Sequence, residues 1–512
     1  MTMLPTVGTP STAELVEIAD DLGFKMSGED ADGFQQFLAG VIPSYWHADK
    51  LVEPRLPVRY PRDSGFRPDI EDNPLNAWYW RCRIDGAEDG VLKGLTVALK
   101  DNICLAGIPM MNGSRILEGF VPDQDATVVS RILDAGGRIL GKAACEDLCM
   151  SGGSHTSALG MIGNPHEPSH CAGGSSGGSA ALLGAGVVDV AMGSDQGGSI
   201  TIPASFCGVY GLKASYGLVP YSGILPLDTT IDHAGPMAST TEGVARLLTA
   251  IAGPDDLDPR QGGVVVQNYL DALAQSSLDG VKIGVVGEGF EWPESDPAVD
   301  RCVRQASARF AELGASVQPI SIPQHRDGRY LADLVLTQGV YHQVIKGNAF
   351  GLNTRGHYMT SLADHFGQAR RARPNDFPDT VKAFMMLAEY IERRSQTHYY
   401  AKGQNLSRRL RDAYNDALST VDLLVFPTTP MVAPPLPAAD CSVFENLSAA
   451  FEMVANTTGV NLTGHPAMSI PCGKSDADLP VGMMLVGRHF DEITVLRASH
   501  GFEQLGVYQA AV

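Results

Sequence analysis

Gly173-Gly174-Ser175-Ser176-Gly177-Gly178-Ser179 runs directly into Ala180-Ala181-Leu182-Leu183-Gly184-Ala185, and a second run, Gly193-Ser194-Asp195-Gln196-Gly197-Gly198-Ser199, follows it. The first run reads as a glycine-rich turn opening a helix, where successive N–H groups can converge on a negative charge. Upstream, Val97-Ala98-Leu99-Lys100-Asp101-Asn102 places a lysine at the end of a short apolar strand. A serine hydroxyl is a weak nucleophile at neutral pH and needs a base. A buried neutral lysine acting through a relay hydroxyl can replace the usual imidazole. The residues therefore point to nucleophilic hydrolysis without histidine, in which a tetrahedral oxyanion rests on backbone N–H groups.

Around these pieces stand Ser205-Phe206-Cys207-Gly208-Val209-Tyr210-Gly211-Leu212-Lys213, Thr230-Ile231-Asp232-His233-Ala234-Gly235-Pro236 and Leu479-Pro480-Val481-Gly482-Met483-Met484-Leu485. Together the segments resemble the amidase signature family, over about Trp78 to Leu505. The resemblance implies a Ser-cisSer-Lys triad: Lys100 as base, Ser175 as bridging serine on a cis peptide and Ser199 as nucleophile. The N–H groups of Gln196, Gly197, Gly198 and Ser199 match the oxyanion hole. Ser176, Ser179 and Ser194 are expected to give hydrogen-bond support, and Asp195 to accept from loop N–H groups. Many relatives carry Ile-Arg after the nucleophile, where this chain has Ile200-Thr201.

The chain has 512 residues, 44% hydrophobic and 19% charged, enough for a large core. A net charge of −20 repels phosphate backbones and anionic membranes, so neither nucleic acid nor membrane is an expected partner. Nine cysteines, an odd number without metal-ligand spacing, read as reduced thiols, and neither metal nor cofactor is expected. The start, Met1-Thr2-Met3-Leu4-Pro5, lacks a secretory pattern, and a cytoplasmic location is expected.

Apolar positions at Leu15, Ile18, Leu22, Phe34, Phe37, Leu38 and Val41 suit two amphipathic helices, followed by a Pro/Arg-rich connector from Pro54 to Pro68. Residues 1–70 are read as a helical arm and linker for docking, dimerisation or capping, and residues 71–512 as the catalytic domain. The signature core spans about 94–215. From Gly94 onward βαβ logic appears: strand at Leu95–Leu99, helix at Thr127–Ala135 and strand at Arg138–Gly141. Strands are also read at 281–286, 316–320 and 421–427, a helix at 299–313, and helical lid patterns at 330–351 and 380–418 within a substrate-side region of about 325–420. The fold class is α/β, and the resemblance implies a large mixed sheet of about eleven strands flanked by helices, with an N-terminal helical extension.

Thirteen histidines raise a Ser-His-Asp alternative, with His155, His170, His233 and His465 near motif segments, but the Gly-x-Ser-x-Gly elbow is absent around Ser199. The segments Glu71–Tyr79, Met110–Ser114 and Cys145–Gly152 are similar to the aldoxime/nitrile-pathway bacterial amidases, which act on short aliphatic and aryl-substituted primary amides. That likeness implies hydrolysis of a small amide to carboxylate and ammonia through an acyl-enzyme. Met150, Ser151, Gly152 and Ser175 are expected to bind substrate, and Met110, Met111, Leu148 and Met150 to give an apolar acyl pocket. Carbamates, hydrazides or anilides remain alternatives on the same scaffold, as does a glutamyl-tRNA amidotransferase A-type subunit. Related amidases with such an arm are homodimers, and a homodimer is expected.

Overall fold

The computed structural model describes residues 7–508. The chain forms two compact units, Met1–Leu56 and Pro57–Val512. The first holds α1 (Thr12–Asp21), α2 (Gly28–Val41) and α3 (Pro43–Ala48), one short helix more than the sequence pattern suggests. Ser11 caps α1 by accepting the Glu14 N–H, while the Glu14 carboxylate accepts the Ser11 N–H at 2.7 Å, and Ser27 caps α2 through the Asp30 N–H. Proline at the first position of α3 costs no hydrogen bond there. This unit buries only Leu15, Ala19, Ala31 and Ile42 among its described apolar residues. Residues 57–70 group with the second unit, where Phe66 and Arg81 exchange backbone hydrogen bonds of 2.9 Å.

The second unit is built on one 11-stranded sheet of order β1-β3-β2-β4-β6-β5-β10-β11-β9-β7-β8. Its strands are β1 (Trp78–Asp85), β2 (Thr96–Lys100), β3 (Arg138–Ala143), β4 (Val190–Asp195), β5 (Tyr210–Lys213), β6 (His233–Ala238), β7 (Lys282–Val286), β8 (Ser316–Ile320), β9 (Leu423–Pro427), β10 (Ala467–Lys474) and β11 (Pro480–Val486). β2 is parallel to both β3 and β4, and β7 to both β8 and β9, whereas the remaining pairs are antiparallel. The sheet is therefore mixed, as the resemblance implies.

Helix α4 (Thr127–Asp134) returns the chain from β2 to its parallel neighbour β3. β4 is buried along its whole length, which accounts for its small and apolar residues from Val190 to Ser194. α5 (Gly177–Gly184) packs against β2, β3, β4 and β6, α6 (Thr201–Cys207) against β5, β10 and β11, and both are buried at nearly every position. Gly178 permits that approach, because a Cβ there would stand 2.4 Å from the carbonyl oxygens of Ala77 and Ala144.

The remaining helices are α7 (Thr241–Ile251), α8 (Pro297–Ala308), α9 (Asp327–Val340), α10 (Thr360–Ala372), α11 (Asp379–Ser395), α12 (His398–Thr420), α13 (Val443–Phe451), α14 (Thr458–Thr463) and α15 (Glu492–Gln504). Two patterns that read as single helices are divided here. α9 widens into a π turn at Tyr341–Lys346, and the 380–418 pattern breaks at Gln396, which adopts φ 53°. Neither break is marked by glycine or proline at the break itself.

Candidate active site

Parallel pairing of Ala98 with Ala191 and of Leu99 with Met192 brings Lys100 and Ser194 to the same end of neighbouring strands. This is the carboxyl end of the parallel strands, where open α/β sheets bind ligands. Lys100 is fully buried, and its Nζ donates to Ser175 Oγ at 2.7 Å, to Ser194 Oγ at 2.9 Å and to Ser194 O at 3.2 Å. The Gly174–Ser175 peptide is cis. Asn102 Nδ2 also donates to Ser194 Oγ at 3.0 Å, Ser176 Oγ donates to Ser194 O, and Ser179 Oγ donates to Met192 O at 3.0 Å. The neighbouring serines thus brace the site. Ser176 N donates to Ser199 O at 3.2 Å, which ties the two glycine runs together.

Asp195, at the end of β4, organises the second run. Its Oδ1 accepts from Gly198 N at 2.6 Å and Asn461 Nδ2 at 2.9 Å, and its Oδ2 from Ile200 N at 2.7 Å and Thr201 N at 3.4 Å. The Gly198 N–H is therefore engaged by a carboxylate, which corrects the expectation that it faces an oxyanion. Gln196, Gly197 and Ser199 keep N–H groups that make no hydrogen bond among the described residues. Gly198 has φ 123°, and a Cβ there would lie 2.4 Å from Thr457 Oγ1. Thr457 Oγ1 itself donates to Gly197 O at 2.6 Å. Thr201 donates from its hydroxyl to Gly198 O at 3.4 Å and so holds the loop from within.

A cavity of about 360 Å³ opens over this loop, lined on one side by Cys149, Met150, Ser151, Gly152, Gln196, Gly197 and Ser199. Ser175 does not line it, because it lies fully buried with Lys100, and only Ser199 of the three reaches the space. That removes Ser175 from the expected substrate contacts. Met150, Ser151 and Gly152 do border the cavity. The acyl-pocket expectation also needs correction, since Met110 and Leu148 are packed in a fully buried cluster with Phe366 and Val344. The apolar wall comes instead from Leu336 and Val340 of α9, Phe384 and Leu387 of α11, Phe451 of α13, and Leu227. Arg329 and Asp333 also line the cavity, with Arg329 paired to Glu294 at 2.8 Å.

Several buried polar groups behind the site escaped the sequence reading. Asp101 binds Lys142 Nζ at 2.8 Å and accepts the N–H groups of Met111 and Asn112, a closed set that fixes the turn after β2. Gln196 Nε2 donates to Tyr221 OH at 2.8 Å and Asp232 Oδ1 at 2.9 Å. Burial pushes the Asp232 carboxyl up to about 7, against the opposing charge of Arg260. The signal for Asp232 was present in the Thr230–Pro236 motif, but a side-chain partner far away in sequence cannot be read from it.

The histidines are engaged elsewhere. His233 Nδ1 lies 2.7 Å from Ile231 O and His465 Nε2 lies 3.0 Å from Asn415 Oδ1, and burial pushes both well below the ordinary histidine range. His155 contacts Asn446 O, and His170 contacts Ser169. None of the four is hydrogen-bonded to Ser175 or Ser199 among the described residues.

The chain is similar to known amidases in both sequence and structure. The chain is 40% identical over 504 residues to an enantioselective amidase of Rhodococcus rhodochrous, covering 98% of this chain and 96% of that protein. It is 37% identical over 477 residues to the A-type subunit of a glutamyl-tRNA(Gln) amidotransferase of Synechococcus sp. (strain CC9605), covering 92% and 94%. The native peptide amidase of Stenotrophomonas maltophilia matches in structure with a TM-score of 0.66 at 28% identity, over 81% of this chain and 83% of that one. With the Amidase family model matching residues 71–496, the chain belongs to the amidase signature family of amide-hydrolysing enzymes.

Proposed function

We propose that this enzyme hydrolyses small aliphatic or aryl-substituted primary amides to the carboxylate and ammonia through an acyl-enzyme on Ser199. The observation that carries the reading is the 2.7 Å contact between Lys100 Nζ and Ser175 Oγ behind a serine that alone of the three lines the cavity. In the neutral amine form one of the three Lys100 contacts reverses, and the Ser175 hydroxyl donates to the amine. Ser175 then takes the proton of Ser199 as Ser199 Oγ attacks the amide carbon. The oxyanion meets the unengaged N–H groups of Gln196, Gly197 and Ser199, each such donor worth about 2.7–4 kcal/mol in the transition state. The relay returns a proton to the leaving ammonia, and water repeats the path to release the acid.

The apolar wall of Leu227, Leu336, Val340, Phe384, Leu387 and Phe451 suits an alkyl or aryl acyl group. Likeness to the A-type subunits of amidotransferases supports a second reading, glutamine hydrolysis within a larger complex. A net charge of −20 disfavours a tRNA partner. A panel of acetamide, benzamide, 2-arylpropionamide, an anilide, a carbamate, a hydrazide and glutamine tests the reading. Highest kcat/KM on a primary alkyl or aryl amide, with acyl transfer to added hydroxylamine, is the expected result; preference for glutamine, a carbamate, a hydrazide or an anilide overturns the substrate assignment.

A further inference from the structure

The turn that follows β3 carries two cysteines that this reaction does not use. Cys145 and Cys149 are buried, and both sulfurs lie within hydrogen-bond reach of one atom, Asn112 Oδ1, at 3.3 and 3.2 Å. The backbone brings them together: Leu148 and Cys149 adopt φ of 46° and 61°, and Cys149 N donates to Glu146 O at 2.9 Å. Non-glycine residues in the left-handed region are held there by their surroundings. Here the effect is to turn Cys149 toward the cavity that also contains Ser199.

The two thiols differ in electrostatics. Burial raises Cys149, but the neighbouring Cys145 thiol, the charge of Lys100 in its protonated form and contacts with Ser175 outweigh burial and hold it at about 6. Cys145 is pushed well up by burial and by the same neighbour. A low-lying thiolate beside a protonated partner is the arrangement of an attacking and a resolving thiol. Cys104 and Cys171, by contrast, are raised by burial to about 12 and lie outside the cavity lining.

We propose that Cys149 is a peroxide-reactive modification site in the substrate cavity, with Cys145 closing a reversible disulfide on it that switches hydrolysis off. In the first step the Cys149 thiolate attacks one peroxide oxygen, the O–O bond breaks, and hydroxide leaves to be protonated, giving the sulfenic acid. In the second, the Cys145 sulfur attacks Cys149 Sγ, the S–O bond breaks, and the departing hydroxide takes the Cys145 proton as water. The disulfide removes both thiols from Asn112 and pulls on the turn whose Glu146 N–H holds Ser175 O at 3.2 Å. Because that turn also supplies Met150, Ser151 and Gly152 to the cavity, both the relay and the substrate wall are disturbed.

The inference rests on the proposed hydrolysis only for its activity readout. The full-length enzyme is treated with hydrogen peroxide, assayed on the best amide of the panel above, and mapped by peptide mass. Roughly tenfold loss of rate is expected, in step with a Cys145–Cys149 peptide lighter by two hydrogens, with recovery in dithiothreitol. Cys149→Ala, read against its own untreated rate, should inactivate roughly tenfold more slowly, while Cys145→Ala should pass to the sulfinic acid and fail to recover. Oxidation confined to Cys302, Cys472 or other positions overturns the proposal, as does a Cys149→Ala protein inactivated at the wild-type rate or a fully linked pair with undiminished hydrolysis. A protein that hydrolyses no amide refutes the function proposed above, while the peptide map still decides the thiol chemistry.

Discussion

Lys100 Nζ lies 2.7 Å from Ser175 Oγ, and both groups are fully buried while Ser199 alone opens to the cavity. The base is thereby shielded from water, as the relay through the two hydroxyls proposed above requires.

Ser199→Ala should abolish turnover with the fold intact, and Ser175→Ala and Lys100→Ala should each lower kcat by several orders of magnitude. His465→Ala, altering a ring that contacts Asn415 rather than the serines, should retain substantial hydrolysis. Steady-state kinetics beside thermal melts separates the two classes. A turning-over Ser199→Ala enzyme, or an inactive but folded His465→Ala enzyme, would reverse the mechanism.

Asp195→Asn tests the loop. The carboxylate accepts four donors, and an amide nitrogen in place of one oxygen leaves either Gly198 or Ile200 without an acceptor. Release of the loop should cut kcat roughly 10²–10³-fold with a much smaller change in KM. An unchanged kcat would mean that the loop holds its shape without Asp195.

What the sequence discloses and what it hides follow a physical line. Glycine runs, the apolar strand before Lys100 and the motif around Asp232 are local signals, since backbone approach and strand burial constrain residue type in place. Met150, Ser151 and Gly152 border the cavity and could be singled out because they share a loop with a motif. The apolar wall was not, since Leu336, Phe384 and Phe451 come from three helices whose faces meet only in the folded chain. The Gly198 N–H was misread for a related reason: its acceptor, Asp195, is close in sequence, but whether a loop N–H turns to a carboxylate or to the cavity depends on φ, which residue type leaves open for glycine.

Phe384 gives a test of acyl recognition. Its truncation to alanine removes aromatic surface from the cavity wall without touching Lys100, Ser175 or Ser199. The ratio of kcat/KM for benzamide to that for acetamide should fall roughly tenfold, the scale of losing one good apolar contact. An unchanged ratio would place the aryl group elsewhere.

Asp232 supplies a pH signature in stability. Its carboxyl is pushed up to about 7 by burial, from an unfolded value near ~3.9. The native state therefore holds the proton more tightly, and this contribution is fully present below ~4, declines as pH rises through that window, and is lost above about 7. Asp232→Asn carries no such titration. The melting temperature of wild type minus that of Asp232→Asn should accordingly fall by several degrees between pH 5 and pH 8. A difference that is flat or rises with pH would contradict the assignment.

The N-terminal unit gives the last prediction. Its three helices bury only Leu15, Ala19, Ala31 and Ile42, whereas Leu22 and Phe37 stay 69% and 70% exposed. So small an interior cannot offset the entropy of ordering some fifty residues, at roughly 1–2 kcal/mol each for the backbone. The apolar side chains left outside call for a further surface, and a second copy of the chain supplies one by symmetry. We propose that this unit serves a homodimer. Phe66 is hydrogen-bonded to Arg81 of the second unit, so the truncation that tests this falls before Pro57. A chain beginning at Pro57 should be monomeric by light scattering and retain amide hydrolysis, with a lower melting temperature. A full-length protein that is monomeric at micromolar concentration would end the dimer reading and make the unit an intramolecular cap.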